Sequence, residues 1–179
     1  MPVDLWKNIP TGEDPPQKIY AVIEIPKGSK NKYEYDKNFE AYKLDRVLHS
    51  TVFYPGDYGL IPQTLYEDGD PLDILVLMDE ATFPGCIISV RPIARINILD
   101  NNERDDKILA VPSEDPNFKG IDGKTDISPH RLKEIAQFFR TYKLLEEGKE
   151  TEVLGWEDRE RAYEAIKKSM ELFKEEIDE

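Results

Sequence analysis

The pattern of the first 112 residues leaves little choice of fold. Six short runs, KIYAVIEIP (18–26), KYEYD (32–36), AYKLDRVL (41–48), LDILVLM (72–78), CIISVRPIARINIL (86–99) and KILAVP (107–112), carry alternation or β-branched residues. Gly, Pro or Asn interrupts the chain between them, as strand boundaries require. Runs this short cannot bury an apolar face singly, so they must pair with one another. The spacing predicts a closed or nearly closed, mostly antiparallel β-barrel. The period then changes. Ser128 and Pro129 form a helix start, Ile135, Phe139, Tyr142 and Leu145 recur at helical spacing, and Gly148 closes that segment. A second helix is predicted from Glu157 to the C-terminus, with Tyr163, Ile166, Met170, Phe173 and Ile177 on one stripe. The Pro- and Gly-punctuated first sixteen residues are expected to wrap the surface. The expected class is α+β, mainly β with C-terminal helices, as a single domain over residues 1–179.

The stretch EDGDPLDILV, residues 67–76, raises the first chemical question. Gly69 and Pro71 break any continuous strand, so a turn would swing Asp68 and Asp70 towards Asp73 at the mouth of an apolar run. An Asp-Gly turn in which Asp bonds its own backbone accounts for Asp68 and for Asp70. It leaves Asp73 unexplained, because a carboxylate in an apolar strand is costly without a cation partner. A metal is the alternative reading. Carboxylates suit Mg²⁺, Mn²⁺ or Ca²⁺. The EF-hand spacing fails, since Leu72 and Asp73 stand where that loop needs an acid and then Gly. Two histidines and one cysteine offer no zinc cluster. Mg²⁺ shared among a few carboxylates, water and a phosphate fits best.

Four further groups bear on the same chemistry. Asp100 and Asp105, with Asp106 beside the latter, flank a short polar loop between two apolar runs, and Lys107 follows. A solvated hairpin tip explains that loop equally well. Lys32, Glu34 and Asp36 share one strand face with Arg46 at the end of the next run, which also reads as an exposed ribbon with cross-strand charge pairs. Glu24 lies inside the apolar run YAVIEIP. Tyr54 and Tyr58 bracket a Pro55-Gly56 turn, and Tyr142-Lys143 ends the first helix; core packing is the default for such tyrosines. Carboxylate groups with cations and phenol donors are what a multiply charged phosphate substrate requires. The residues therefore point to Mg²⁺-dependent hydrolysis of a small phosphate compound, without naming the substrate.

The net charge of −13 opposes non-specific nucleic-acid binding, which depends on Lys and Arg. No apolar run approaches a membrane span, the N-terminus lacks the regions of a signal peptide, and Cys86 has no partner for a disulfide. A cytoplasmic location is expected. Two competing classes are a hydrolase of nucleoside polyphosphates or phosphomonoesters and a barrel that binds single-stranded nucleic acid. The first lacks a platform for a base or sugar, and the second is opposed by the charge.

The ordered set VIEIP, KYEYD, DR at 45–46, FYPGDYG, DGDPLDILV, LDNNERDDKILAV and FFRTYK at 138–143 resembles the soluble inorganic pyrophosphatases of family I, prokaryotic type. The resemblance runs from about Asp4 to Phe173. It implies an OB-type five-stranded β-barrel with flanking helices and hydrolysis of pyrophosphate to two phosphates with several Mg²⁺ per site, Mn²⁺ being a possible substitute. It implies that Asp68, Asp73 and Asp105 hold the tightest metal, and that Asp73 reaches a second ion with the attacking water between the two. Asp100 and Asp105 would share a further metal, and Glu24 would touch a weaker one through water. Asp70 would be the general base. Lys32, Arg46, Lys107, Tyr142 and Lys143 would grip phosphoryl groups, Tyr58 would hydrogen-bond near metals and substrate, and Glu34 and Tyr54 would support them. A homo-oligomer, a hexamer in most prokaryotic members, is implied as well.

Overall fold

The computed structural model describes residues 3–36 and 38–178. Nine strands and two α-helices follow one another in the order β1 (Ile19–Ile25), β2 (Asn31–Asp36), β3 (Ala41–Val47), β4 (Asp57–Leu60), β5 (Asp73–Val76), β6 (Ile87–Asp100), β7 (Glu103–Arg104), β8 (Lys107–Pro112), α1 (Pro129–Thr141), β9 (Thr151–Asp158) and α2 (Arg159–Asp178). Five of the strands close on themselves. β1 pairs β4, β4 pairs β5, β5 pairs β8, β8 pairs β6, and β6 returns to β1. The expected five-stranded barrel with flanking helices is therefore present. Only the β5–β8 pairing in the ring is parallel.

The long strand β6 organises the ring. Its start pairs β1, its middle pairs β8, and its end pairs β9 and the short β7. Pro92 lies inside it and has no N–H to offer a ladder. The register against β8 shifts between Pro92 and Ala94, which absorbs the missing donor as a bulge. The ribbon β2–β3 stands apart as its own two-stranded sheet, with Lys32 opposite Arg46.

Two core regions fill the fold. Under α1, Ile135, Phe138 and Phe139 pack with Tyr54, Tyr58, Ile96 and Leu109. Under α2, Ala162, Ala165 and Ile166 pack with Ile19, Ile74, Val90 and Ile108. Each such Ile or Leu contributes about 2 kcal/mol by leaving water. Phe173 continues the α2 stripe and meets Trp6 of the N-terminal segment, ring centroids 5.7 Å apart. Leu145 and Ile177, both expected on buried stripes, are exposed. For Leu145 the reason is that α1 stops at Thr141, well short of Gly148.

Among the described residues, β4, β9 and the two-residue β7 escaped the sequence pattern. β4 overlaps the end of FYPGDYG, where Pro55-Gly56 reads as a turn. Gly59 is there for close approach, because a Cβ on it would come within 1.9 Å of the Val22 carbonyl oxygen of β1. β9 includes Gly155 at φ +142°, opposite a register shift between Asn97 and Ile98 of β6. That bulge, and alternating Glu152, Leu154 and Trp156 beside a helix, hid the strand.

Candidate active site

One open end of the barrel is a cavity of about 630 Å³. The strands deliver its base. Asp73 opens β5 and lies in parallel register with Lys107, which opens β8, while Tyr58 of β4 pairs Leu75. Asp73 Oδ2 accepts from the Tyr58 hydroxyl at 2.8 Å and from Lys107 Nζ at 2.8 Å. Lys107 Nζ also donates to Asp105 Oδ1 at 3.2 Å. Lys107 is 1% exposed, and its Nζ lies 5.3 Å from the Tyr58 ring centroid and 5.7 Å from that of Phe139. Burial pulls the Lys107 pKa down, but Asp73, Tyr58 and Asp105 outweigh it and hold the pKa well above its usual value. Burial, then Asp73, pushes the Tyr58 hydroxyl well up, so it stays a donor.

The acidic loop forms the facing wall. Its turn is closed by Tyr66 N–H to the Asp70 carbonyl at 2.7 Å and by Gly69 N–H to the Tyr66 carbonyl at 3.0 Å, with Gly69 at φ +83°. Asp68 Oδ1 accepts from the Asp70 N–H at 3.0 Å, so the local Asp-Gly turn does form. The turn nevertheless leaves Asp68 and Asp70 exposed on the cavity wall. Desolvation is the main cause that raises the Asp68 pKa to about 6; the Asp70 N–H opposes it, and the charges of Asp70, Asp73 and Asp105 add to it. Glu24 is pushed to about 8, chiefly by burial and then by Asp73, against a hydrogen bond from the Tyr35 backbone. Burial raises Asp105 too, with Asp73 adding and Lys107 opposing.

Lys143 Nζ donates to Asp100 Oδ2 at 2.7 Å and sits 5.2 Å from the Tyr142 ring centroid. Tyr142, buried among Phe138 and Phe139, presents its edge to the cavity. Tyr54 packs between Tyr58 and Phe138, at 5.3 and 4.8 Å. The ribbon closes the third side, with Lys32 Nζ 2.6 Å from Glu34 Oε1 and 3.3 Å from Asp45 Oδ2. Of the residues singled out in the sequence, Glu24, Lys32, Glu34, Tyr54, Tyr58, Asp68, Asp70, Asp73, Asp100, Asp105, Lys107, Tyr142 and Lys143 line this cavity. Arg46 does not. Its Nε is engaged at 3.1 Å by Glu146, whose side chain is 8% exposed.

Glu146 was missed from sequence, as were Trp6, Arg104 and Tyr66. Glu146 and Arg46 are too far apart in sequence for any local pattern to join them. Arg104 lines the cavity and, with Tyr66, bonds the buried Asp106. Strand alternation offered a signal for Asp106: with Asp105 and Lys107 facing the cavity, it must face the other way.

The donor set suits a hard divalent cation. Among the described residues, no three carboxylates converge closely enough to enclose an ion unaided. They instead line one cavity from separate elements, where water and phosphate oxygens would complete the shell. Asp100 Oδ1 is buried without a hydrogen-bond partner, an acceptor left over for such an ion.

Comparison with known proteins decides the family. A family model described as inorganic pyrophosphatase matches residues 21–174. The chain belongs to the inorganic pyrophosphatase family. The inorganic pyrophosphatase of Haloferax volcanii is 54% identical over 97% of this chain and 98% of its own. That of Nostoc is 52% identical over 89% of this chain and 94% of its own. The crystal structure of inorganic pyrophosphatase from Thermus thermophilus superposes with a TM-score of 0.93 at 43% identity, over 96% of this chain and 99% of that one. In this pyrophosphatase-family barrel, carboxylates and the Lys and Tyr donors meet in the same small polar cavity.

Proposed function

We propose that the chain hydrolyses inorganic pyrophosphate to two phosphates with Mg²⁺. The observation that carries the reading is the single cavity in which Asp68, Asp70, Asp73, Asp100 and Asp105 meet Lys107, Lys143, Tyr58 and Tyr142, in a chain of this family. Asp68, Asp73 and Asp105 would hold the tightest Mg²⁺, Asp100 and Asp105 a further one, and Glu24 another through water; Mn²⁺ has the same preference for oxygen donors. Bound, these ions neutralise phosphate charge and lower the pKa of water.

The chain's own residues do the rest. Lys32, Lys107, Lys143 and Tyr142 donate to phosphoryl oxygens and fix the substrate in line with the attacking water. Arg46, whose Nε pairs with Glu146, would join them through its remaining guanidinium donors. Asp70, exposed on its turn, takes the proton as water oxygen bonds to one phosphorus and the bridging P–O bond breaks. Tyr58 holds Asp73 in place, and Glu34 and Tyr54 support Lys32 and Tyr58. The same reading makes residues 1–179 one catalytic domain of a cytoplasmic homohexamer that binds neither nucleic acid nor membrane, as the family resemblance implies. Among the described residues no helix is long and apolar enough to cross a membrane.

Phosphate release with Mg²⁺, measured on pyrophosphate, a nucleoside triphosphate and a phosphomonoester, tests the reading. Strong preference for pyrophosphate is expected. Equal or better release from the nucleotide would overturn the substrate assignment.

A further inference from the structure

Asp106 is a buried carboxylate that the reaction above does not use. It is 1% exposed and stands between two residues that face the cavity, Asp105 and Lys107. Its own side chain turns the other way. Oδ2 accepts from the Tyr66 hydroxyl at 2.5 Å and from Arg104 Nη2 at 2.7 Å. Oδ1 accepts from the Ile98 N–H of β6 at 2.9 Å, while the Asp105 N–H returns to the Ile98 carbonyl at 2.9 Å. Asp106 is thereby fixed to the barrel wall at both oxygens. Tyr66, for its part, starts the acidic turn. Its N–H holds the Asp70 carbonyl, its carbonyl holds the Gly69 N–H, and its ring is 9% exposed in the core under α2.

These bonds form one continuous link. The wall that carries Asp105 and Lys107 grips Tyr66 through Asp106, and Tyr66 grips the turn that carries Asp68 and Asp70. Besides the link, the turn is tethered at its base, where Ile61 N–H meets the Leu72 carbonyl and Leu72 N–H meets Thr64 Oγ1, and to α2, where Leu65 N–H meets the Ser169 carbonyl and Glu67 pairs with Lys168. The Tyr66–Asp106 bond ties it to the wall that carries Asp105 and Lys107. We propose that the Tyr66–Asp106 hydrogen bond is a positioning clamp that sets the distance between the Asp68/Asp70 turn and the Asp73/Asp105 wall, and so tunes divalent-metal affinity and turnover. Neither residue touches substrate or metal. The proposal rests on the functional reading above.

Tyr66→Phe removes one hydroxyl and leaves Asp106 with Arg104 and Ile98, so the protein should fold. Mn²⁺ binding to the substrate-free protein is measured by calorimetric titration, and kcat and KM for pyrophosphate are measured with Mg²⁺. Loss of a residue that orients metal ligands weakens affinity by about tenfold or more. The clamp predicts about tenfold weaker Mn²⁺ binding and a several-fold lower kcat in Tyr66→Phe, with KM within about twofold. Asp106→Asn should match it, and the double variant should bind Mn²⁺ no more weakly than the worse single. Ala162→Gly, a lesion in α2 outside the cavity, should lower the melting temperature without moving Mn²⁺ affinity. Unchanged Mn²⁺ affinity and kcat in Tyr66→Phe, strictly additive losses in the double variant, or an equal loss of affinity in Ala162→Gly would each overturn the clamp. Absence of turnover in the wild type would instead overturn the functional reading itself.

Discussion

The strand wall and the loop wall of the cavity carry the same acid, aspartate, with different partners. On the strand wall, Asp73 and Asp105 share the Lys107 ammonium, and Asp73 adds the Tyr58 hydroxyl. On the loop wall, Asp68 accepts the Asp70 N–H, and desolvation raises its pKa to about 6. Glu24, across the barrel mouth, rises further, to about 8. The difference teaches where preorganisation ends. β-Strands fix side chains in register, so charge pairs can be built in at folding. The acidic turn is instead held by backbone hydrogen bonds, Tyr66 N–H to the Asp70 carbonyl and Asp70 N–H to Asp68.

The strand wall should break hardest. Lys107→Met leaves two carboxylates without their buried partner, a change that costs about 3–5 kcal/mol. At about 2–4 °C per kcal/mol for a domain of this size, the melting temperature should fall by roughly 6–20 °C in calorimetry. Lys32→Met, whose partner Glu34 is exposed, should cost at most about 1 kcal/mol. Equal losses for the two lysines would erase the distinction between wall and ribbon.

Cations should act next, across both walls. Mg²⁺ at one hundred times its dissociation constant stabilises a native state that binds it exclusively by about 2.7 kcal/mol. A melt with Mg²⁺ should therefore show a higher midpoint than one in chelator, and Asp68→Asn should shrink the increment. Identical midpoints for the wild type would remove the metal from the cavity.

A smaller effect concerns pH in the metal-free protein. Glu24 has a folded pKa near 8, above its ordinary 4.5, so between those values the native state keeps a proton that the unfolded chain has released. The stability from this group is present at low pH and is lost as pH rises through 8. Glu24→Gln should flatten that decline in chelator-treated protein, seen as a higher midpoint at pH 8 and little change at pH 4.5. A parallel decline in wild type and variant would assign the slope to other groups.

The barrel was legible wherever a strand buried a regular apolar face, as in β1, β6 and β8. β5 was found with its ends misjudged, because Leu72 and Met78 extend the apolar run beyond the pairing. β4 and β9 were hidden by glycines that serve close approach and a bulge rather than a turn. The cavity's acids could be read because Asp73 and Glu24 contradict their apolar surroundings. What stayed invisible was partnership. Glu146 beside Arg46, and Asp106 beside Tyr66, join positions 100 and 40 residues apart, and no periodicity reports such a pairing.

The most direct test of the loop wall is phosphate release from pyrophosphate with saturating Mg²⁺, for the wild type and for Asp70→Asn. If the exposed turn supplies the base, the substitution should cost about 10²–10⁴-fold in kcat while the melting midpoint stays within a few degrees. Release by Asp70→Asn at the wild-type rate would contradict it and return the proton transfer to another group in the cavity.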